Sequence, residues 1–498
     1  MGSEQQIRPS YAARRLRVLG TTLALLLLAV LTWLPSFYSS FNDLINYGRQ
    51  TFPSPFSTTT YSHLEAHCST IPPILQSEFT NRQISLAKTL NSLGAAAYIT
   101  EPGAYSQFFG NFSTAQWKLS ERPLLLVITP DVLGAANSNG VSPRVTVLTP
   151  KFETTRARLL PIPSLNGQIK YIEWAEEVDP FAAVLAFIDE ATSQVRSTTS
   201  RKIFVDSSIR KFIADGLLRA SDRRTISSIS GSTDKVFGHS ANNISHRQQA
   251  LQIFSAPPEI TQMRERKSEA ELQILKCVNE ATLLAIREVH KNLAPGIQES
   301  HARNMMATAL RAAGLRDGGC LTLFGENAAL PHGSGTDRVL NDADFVLFDC
   351  TASLHGYWSD VTRTVSLTAK SRIPPSHVET WNFVQKAQQA AIITAKNGTV
   401  TKAVDAAARD VFRQEKLEQY FTHRLGHGIG LEVHESPYLR GGSDDIIQIG
   451  HTFSDEPGLY IEGEVGVRLE DCFYIDASGE AVYLTDGVGG PSSKPWLP

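Results

Sequence analysis

Residues 345–364 read FVLFDCTASLHGYWSDVTRT, and this is the most informative segment of the chain. Its apolar start and its Gly356 turn predict a strand, a turn and a second strand. Asp349 and Asp360 would then lie at the buried ends of a hairpin. A carboxylate that follows four apolar residues is costly unless it is paired or bound to a metal. A turn or capping role is common for a single aspartate but does not explain two, so we interpret both as metal ligands.

Two segments farther along the chain carry matching side chains. Residues 423–435 read HRLGHGIGLEVHE, and the glycines beside His427 leave its imidazole free to approach a metal. The segment SDEPGLY places Glu456 before a Pro-Gly turn, and GVRLED places Glu470 in an apolar strand. Such a cluster of carboxylates could not stay ionised alone, but two divalent cations would balance it. We expect a dinuclear site for Mn²⁺, with Co²⁺, Zn²⁺ or Fe²⁺ as alternatives.

The order of these motifs resembles the signature of the pita-bread metallopeptidases, which include methionine aminopeptidase, aminopeptidase P, prolidase and the metal-free creatinase. The shared pattern is an aspartate, a second aspartate eleven positions later, GHGIG, EPG and RxED, within residues 264–475. The preceding part resembles the creatinase-type N-terminal domain in its length, its α/β pattern and the segment FETTRAR at 152–158. The resemblance implies an α+β catalytic domain of the aminopeptidase P and prolidase branch.

The resemblance also implies a reaction and the residues that perform it. The reaction is hydrolysis of an N-terminal Xaa-Pro bond in a dipeptide or short peptide, by a hydroxide that bridges two metals. Asp360 and Glu470 would bridge the metals, and Glu456 would act as general base and then acid. The implied metal ligands are Asp349, Asp360, His427, Glu456 and Glu470, and His332 and His434 act at the reacting carbonyl. The implied substrate pocket includes three further residues: His423 is a pocket histidine, Arg468 lies beside the bridging glutamate and orients a ligand carboxylate, and Arg440 either holds a substrate carboxylate or is a loop arginine.

One residue departs from the family pattern. Asp455 precedes Glu456 where many members have an apolar residue, and strand alternation predicts that its side chain points away from the metals and needs a partner of its own. No ligand position is lost, unlike in creatinase and in the non-catalytic binding proteins of this fold. Two alternatives stay open, namely hydrolysis of another small amide or dipeptide, and a membrane-anchored binding protein that uses the cleft without turnover.

The composition narrows the class of protein and its partners. The chain has 498 residues, of which 42% are hydrophobic and 19% charged, which indicates a folded soluble body rather than a disordered or polytopic membrane protein. The net charge of -3 gives the protein no overall positive electrostatic potential that would attract nucleic acid. We therefore expect no nucleic-acid partner. The family resemblance implies a short proline-containing peptide as the partner, and it also allows a homodimer.

The N-terminus predicts a membrane anchor. Several arginines precede an uncharged run at residues 18–34, whose helix would be roughly 26 Å long, near the short limit for a bilayer span. Since no clean cleavage site follows, we interpret the run as an uncleaved signal-anchor, with the arginines cytosolic. If it were cleaved, the body would be secreted. The expected order is a cytosolic basic segment (1–17), a transmembrane anchor (18–38), a stalk (39–60), an α/β domain (61–258) and the catalytic domain (259–498).

Two weaker features agree with a lumenal or extracellular body in the secretory pathway. Glycosylation sequons begin at Asn111, Asn243 and Asn397. The five scattered cysteines allow at most two disulfides and leave at least one free thiol in a monomer.

Several elements outside the motifs are also predicted. Apolar runs at 124–128 and 145–148 predict strands, and residues 181–188 predict a helix. A capping box at Ser268 begins another helix, and a further helix covers residues 299–313. A Gly, Ser and Asn-rich stretch at 227–243 predicts a surface loop.

Overall fold

A six-stranded mixed sheet forms the first part of the computed structural model, which describes residues 58–131, 140–193, 202–230 and 251–498. The strand order is β4-β3-β2-β1-β5-β6, with β1–β2 and β2–β3 antiparallel and the other pairs parallel. The central strand β1 is buried along its whole length, as expected when both faces of a sheet are covered. The strands are β1 (Ala95–Thr100), β2 (Leu125–Asp131), β3 (Ser142–Pro150), β4 (Lys170–Trp174), β5 (Lys202–Val205) and β6 (Gln252–Ser255).

Helices cover both faces of this sheet. Leu86 and Phe109 belong to the core on one face, and Val184 and Leu217 belong to the core on the other. The predicted loop at 227–243 is wrong over residues 227–230, which continue a helix because no glycine or proline interrupts the chain there before position 231. The rest of that loop lies outside the described residues. The helices are α1 (Gln76–Ser92), α2 (Ala104–Gly110), α3 (Thr154–Ala157), α4 (Pro180–Ser193) and α5 (Lys211–Ser230).

The second part of the chain begins with a well-capped helix. The Ser268 backbone N–H donates to the Glu271 carboxylate at 2.8 Å, and the Glu271 N–H donates to the Ser268 hydroxyl at 3.3 Å, which confirms the predicted capping box. Trp381 and Phe412 pack from two later helices onto Phe453 and Phe473 of the sheet. The helices here are α6 (Pro258–Thr261), α7 (Glu269–His290), α8 (Glu299–Ala312), α9 (Pro375–Thr394) and α10 (Thr401–Gln414).

Antiparallel strands complete the α+β arrangement. One sheet has the order β7-β8-β9, a second has the order β11-β10-β12-β15-β16, and β13 pairs with β14. Backbone hydrogen bonds between Thr362 and Glu470, at 3.0 and 3.3 Å, join the first two sheets. The strands are β7 (Arg316–Phe324), β8 (Val346–Leu354), β9 (Tyr357–Val365), β10 (Gly426–Gly428), β11 (Glu435–Leu439), β12 (Thr452–Asp455), β13 (Gly458–Ile461), β14 (Val465–Arg468), β15 (Asp471–Ile475) and β16 (Ala481–Tyr483).

Four of the five cysteines pair, as the sequence allowed. Cys68, which precedes α1, bonds to Cys277 on α7, and Cys320 on β7 bonds to Cys350 on β8. Cys472 is the free, buried thiol. One bond therefore ties the N-terminal part of the fold to the second part, and the other crosses a single strand pair.

The described residues cover the predicted membrane anchor, stalk and glycosylation sequons only in part. Within the described ranges, no helix is long and apolar enough to cross a bilayer. The predicted anchor at 18–38 and residues 39–57 of the predicted stalk lie outside those ranges, and the remaining stalk residues begin a 3-10 helix, Thr58–Ala66. Asn397 is exposed, whereas the side chain of Asn111 is partly buried and donates to the Pro161 carbonyl at 3.3 Å.

Candidate active site

Asp349 and Asp360 lie in the middle of β8 and β9, so their predicted position at the ends of the hairpin is wrong. The two-residue turn at His355 and Gly356, both with positive φ, closes the hairpin so tightly that the paired strands run for nine residues each. Asp349 lies opposite Thr362, and Asp360 lies two residues before Thr362. Because side chains alternate along a strand, all three project from one face.

The other predicted ligands reach this face from the second sheet. The backbone bridge to Thr362 brings Glu470 beside the two aspartates. The His427 Nε2 atom lies 3.2 Å from the Glu456 carboxylate and 3.6 Å from the Asp360 carboxylate. Within each of three groups, the potential ligand atoms all lie within 4.8 Å of one another; the groups are Asp349, Asp360 and Glu470; His427, Glu456 and Glu470; and Asp360, His427 and His434.

The electrostatics of this cluster fit bound cations. Burial, followed by the charges of Asp349 and Glu456, raises the pKa of Asp360 well above its usual range. Burial and the charge of Asp360 raise the pKa of Glu470 in the same way. The Glu470 Oε1 atom is buried and has no hydrogen-bond partner among the described residues. A buried carboxylate oxygen without a donor is costly, and a divalent cation would satisfy it.

Glu456 differs from its neighbours in its protonation. Burial favours its neutral form, but the hydrogen bond and charge of His427, together with the charges of His423 and Arg468, outweigh burial and lower the pKa of Glu456 to about 2. The Ser454 hydroxyl donates to the same carboxylate oxygen at 3.2 Å. Glu456 is therefore an ionised carboxylate at neutral pH, which can accept a proton.

Arg468 contacts a predicted ligand rather than the open cleft. Its guanidinium is buried and donates to the Asp349 carboxylate at 2.6 Å and to the Tyr460 hydroxyl at 2.8 Å. The Tyr460 hydroxyl also lies 2.8 Å from the His423 Nε2 atom, so it links the predicted pocket histidine to Arg468. The Thr362 hydroxyl donates to the Glu470 carboxylate at 2.6 Å. These contacts fix the orientation of the ligand carboxylates.

Three further histidines surround the ligand group. The His434 ring is exposed and lies with its centroid 4.3 Å from that of His427. Although His434 is exposed as a whole, its ring packs against His427 and is partly desolvated there. This desolvation, then the charges of His427 and Arg424, lower the pKa of His434 to about 4. Burial also lowers the pKa of His423, and the charge of His332 acts in the same direction on His423 and His434. The structure thus places His423 and His434 beside the predicted ligands, where both are neutral at pH 7.

The loop that carries His332 is fixed by a buried carboxylate that the sequence analysis missed. Glu299, at 0% exposure, accepts hydrogen bonds from the Phe324 and Thr336 backbone N–H groups at 2.8 and 3.1 Å. It also accepts from the Arg338 N–H at 3.1 Å and from an asparagine side chain of the loop at 2.8 Å. A glutamate at the start of an amphipathic helix gives no sign of such contacts, so the sequence offered no signal for them.

Two remaining predictions concern residues beside the ligands. Arg440 is exposed, and its guanidinium lies 5.6 Å from the centre of the Tyr438 ring, without an ion pair in the described part of the chain. Asp455 is buried and accepts a hydrogen bond from the Tyr483 hydroxyl at 3.2 Å. It belongs to none of the three ligand groups, and it has the separate partner that strand alternation predicted.

Comparison with known proteins yields consistent matches. A model described as "Metallopeptidase family M24" matches residues 273–477. An uncharacterized peptidase of Schizosaccharomyces pombe is 34% identical over 427 residues, which cover 84% of each chain. In structure, dipeptidase PepE from Mycobacterium ulcerans aligns with a TM-score of 0.66 and 24% identity over 86% of this chain and 99% of its own. An Xaa-Pro dipeptidase from Bacillus anthracis aligns with a TM-score of 0.63 and 21% identity over 84% of this chain and 99% of its own.

Proposed function

The chain belongs to metallopeptidase family M24 and is a peptidase, and from this premise we propose that it is a dinuclear metal-dependent hydrolase of N-terminal Xaa-Pro bonds in dipeptides or short peptides. The family and the α+β pita-bread fold are those expected from the sequence motifs. The number of metals, the bond cleaved and the roles of single residues form the proposal.

The convergence of four carboxylates and one imidazole on a single face carries this proposal. Asp349, Asp360, His427, Glu456 and Glu470 would hold the cations, because the buried carboxylates of Asp360 and Glu470 have too few protein partners to be stable as charges otherwise. Two divalent cations, when bound, supply a water of lowered pKa and polarise the scissile carbonyl. The all-oxygen and nitrogen ligand set agrees with Mn²⁺ and with the alternatives named above.

The protein's own groups move the proton and stabilise developing charge. The ionised Glu456 takes a proton from the attacking water and returns it to the leaving nitrogen. His434 and His332 donate hydrogen bonds to the oxygen that becomes negatively charged, each contributing on the order of 2–4 kcal/mol. Arg468, which holds Asp349 in place, acts through that carboxylate.

Proline preference is the part of the proposal with a named rival. The Bacillus anthracis neighbour is an Xaa-Pro dipeptidase, which supports proline specificity, and the Mycobacterium ulcerans neighbour is called a dipeptidase, which supports a broader choice of residue. A dipeptidase without a proline requirement is therefore the second candidate function.

A substrate panel separates these candidates. Protein loaded with Mn²⁺ is given Ala-Pro, Ala-Ala and Ala-Pro-Ala at equal concentrations, and the release of alanine is measured. Hydrolysis of Ala-Pro at least tenfold faster than Ala-Ala supports the proposal. Equal rates favour the second candidate, and no hydrolysis of any peptide would contradict peptidase action on short substrates.

We also propose that the body is lumenal or extracellular, on a single N-terminal anchor. The two disulfides and the exposed sequon at Asn397 support this location. Protease treatment of sealed microsomes tests it, because a lumenal body would resist digestion until detergent is added.

A further inference from the structure

The position of His434 depends on the backbone that carries it. Its ring lies against that of His427, with the two centroids 4.3 Å apart, and no group of the described residues forms a hydrogen bond with it. His423 differs, because its Nε2 atom lies 2.8 Å from the Tyr460 hydroxyl and its Nδ1 atom lies 2.7 Å from the Arg424 carbonyl oxygen. A ring without such contacts is free to donate to a substrate, but only a well-held backbone keeps it in place.

His434 ends a short connection between two strands. This connection, residues 429–434, joins β10 to β11, and Glu435 follows His434 as the first residue of β11. Glu435 pairs with Gly428, the last residue of β10, so the two strands close the connection at its base. A contact that holds Glu435 therefore also limits the movement of His434, the residue directly before it.

A buried ion pair holds Glu435. Its side chain is 2% exposed and that of Lys267 is 1% exposed, and the Lys267 ammonium donates to the Glu435 carboxylate at 2.7 Å. The same ammonium donates to the carbonyls of Arg264 and Glu265 at 2.9 and 3.0 Å, so all three of its N–H groups are used. A Cβ atom at Gly430 would lie 2.7 Å from both side chains of the pair, so the connection packs directly against it.

The ion pair attaches the connection to a segment between the two parts of the fold. Residues 262–268, which carry the lysine of the pair, join α6 to α7. Arg264 of this segment forms an ion pair with Glu435 at 3.2 Å and another with Glu432 of the connection. Its guanidinium lies 4.4 Å from the centre of the Tyr105 ring, on α2 of the first part. Two cations of one segment thus hold two carboxylates at the end of the connection.

We propose that Lys267 and Glu435 are positioning residues, whose buried ion pair fixes the connection and so holds His434 at the reacting carbonyl. This inference rests on the proposed function, in which His434 donates to the oxygen that becomes negatively charged, and it adds the groups that make this donation possible. Such a donor acts at about 2.7–3.1 Å, and a displacement of about 1 Å costs on the order of 10²-fold in rate. Loss of the ion pair should therefore slow the reaction without removing a metal ligand.

The test removes both charges together, because removing one would leave the other buried without a counter-charge and endanger folding. Lys267→Met is combined with Glu435→Leu, which leaves apolar side chains of similar size. The kcat and KM values for Ala-Pro are measured on the Mn²⁺-loaded proteins, together with bound Mn²⁺ and the urea midpoint of unfolding. We expect kcat to fall by about 10-fold and KM to change by less than about threefold, because the affected hydrogen bond forms in the transition state. Bound Mn²⁺ should equal that of the wild type.

A second background shows whether the effect passes through His434. In a His434→Ala protein, the same double substitution should change kcat by less than about twofold. Fully additive losses, or a wild-type kcat in the double variant, would overturn the proposal. If the double variant does not fold, Glu435→Gln carries the same prediction with a smaller fall in kcat, about threefold, and the same comparison in the His434→Ala background.

The matched control removes an ion pair elsewhere in the fold. Arg210→Met combined with Glu101→Leu removes a contact of 2.7 Å in the first part of the chain, where the Glu101 side chain is also buried. This variant should keep the wild-type kcat. A similar fall in kcat in this control would overturn the proposal, because the loss of any buried pair would then have the same effect.

Hydrogen exchange separates this inference from the proposed function, because it needs no substrate. Residues 429–435 should exchange faster in the double variant than in the wild type, whereas residues 325–338 should not change. Equal exchange at residues 429–435 would overturn the inference even if the wild type hydrolyses Ala-Pro. Faster exchange throughout the chain, with a lower urea midpoint, would overturn it by assigning the pair a general structural role. A wild type that hydrolyses no peptide would contradict the proposed function, and the exchange result would still decide whether the pair holds the connection.

Discussion

Glu456 is the side chain on which the proposed chemistry depends most. Its low pKa, about 2, keeps it ionised, so its role is to accept a proton rather than to donate one at the start of the reaction. Glu456→Gln keeps the size of the side chain but cannot accept that proton, and we expect kcat to fall by about 10²- to 10⁴-fold. The urea midpoint should stay close to that of the wild type.

The matched control for this substitution is Glu464→Gln, an exposed glutamate between β13 and β14. It should leave kcat unchanged. A Glu456→Gln protein with wild-type kcat would remove Glu456 from the mechanism.

His451 predicts how stability depends on pH. It is 3% exposed, and burial, then the positive charges of Lys267 and Arg266, lower its pKa to about 4 from about 6.5 in the unfolded chain. Between these values the unfolded state binds more protons than the folded state, so this group's contribution is complete above pH 6.5 and is lost as the pH falls toward 4. We expect about 2 kcal/mol of destabilisation from His451 between pH 7.5 and 5.

His451→Gln, which does not titrate, should lessen the pH dependence by that amount. Urea unfolding at several pH values measures it. Parallel stability curves for the two proteins over this pH range would show that His451 is not responsible.

The site residues that belong to sequence motifs could be predicted from the sequence. The residues that contact and orient them could not. Short sequence patterns, whose residue types are typical of metal ligands, contain Asp349, His427 and Glu470. Tyr460 and Glu299 act through contacts made only after distant segments meet, and neither has an unusual sequence context.

At the level of elements, the hairpin of β8 and β9 shows which structural features the sequence pattern predicted and which it missed. The alternation and the glycine turn predicted two paired strands. The length of those strands depends on the two-residue turn and on pairing with β7. Asp349 and Asp360 therefore lie in the middle of their strands, whereas the sequence pattern predicted them at the ends. The end of α5 was missed because its Ser-rich composition is typical of loops, although no glycine or proline stops the helix before position 231.

We predict that Glu299 affects catalysis by holding the loop between β7 and β8, which carries His332. Glu299→Gln replaces an oxygen by an NH₂ group that faces backbone donors, so the loop should lose order and kcat/KM should fall by about 10-fold. If the effect passes through His332, the same substitution in a His332→Ala background should have no further effect.

Hydrogen exchange of residues 325–338 and the urea midpoint of unfolding are measured on the same variants. Faster exchange in that loop with a midpoint near that of the wild type is expected. Fully additive losses of kcat/KM would instead assign Glu299 a general structural role.

At the scale of the whole molecule, the bond between Cys68 and Cys277 connects the two parts of the fold across 209 residues. Closing a long loop restricts the unfolded chain more than closing a short one. We expect the double substitution Cys68→Ser and Cys277→Ser to lower the free energy of unfolding by about 2–5 kcal/mol. The corresponding change at Cys320 and Cys350, 30 residues apart, should cost about 1–2 kcal/mol less.

Urea unfolding under non-reducing conditions measures both pairs. A larger loss at the short pair would contradict the loop-length argument. The topology at this scale was the least predictable part, because β1 pairs with β5 from about a hundred residues away and no local pattern specifies that pairing.

The most direct test of the central claim is a metal titration with two readouts. Protein stripped by a chelator is titrated with Mn²⁺ while bound metal and hydrolysis of Ala-Pro are measured on the same samples. We expect that stripping abolishes hydrolysis, that activity returns as two ions bind per chain, and that Asp360→Asn binds fewer ions and stays inactive. Full hydrolysis by the stripped protein, or by Asp360→Asn, would contradict a dinuclear metallopeptidase built on these residues.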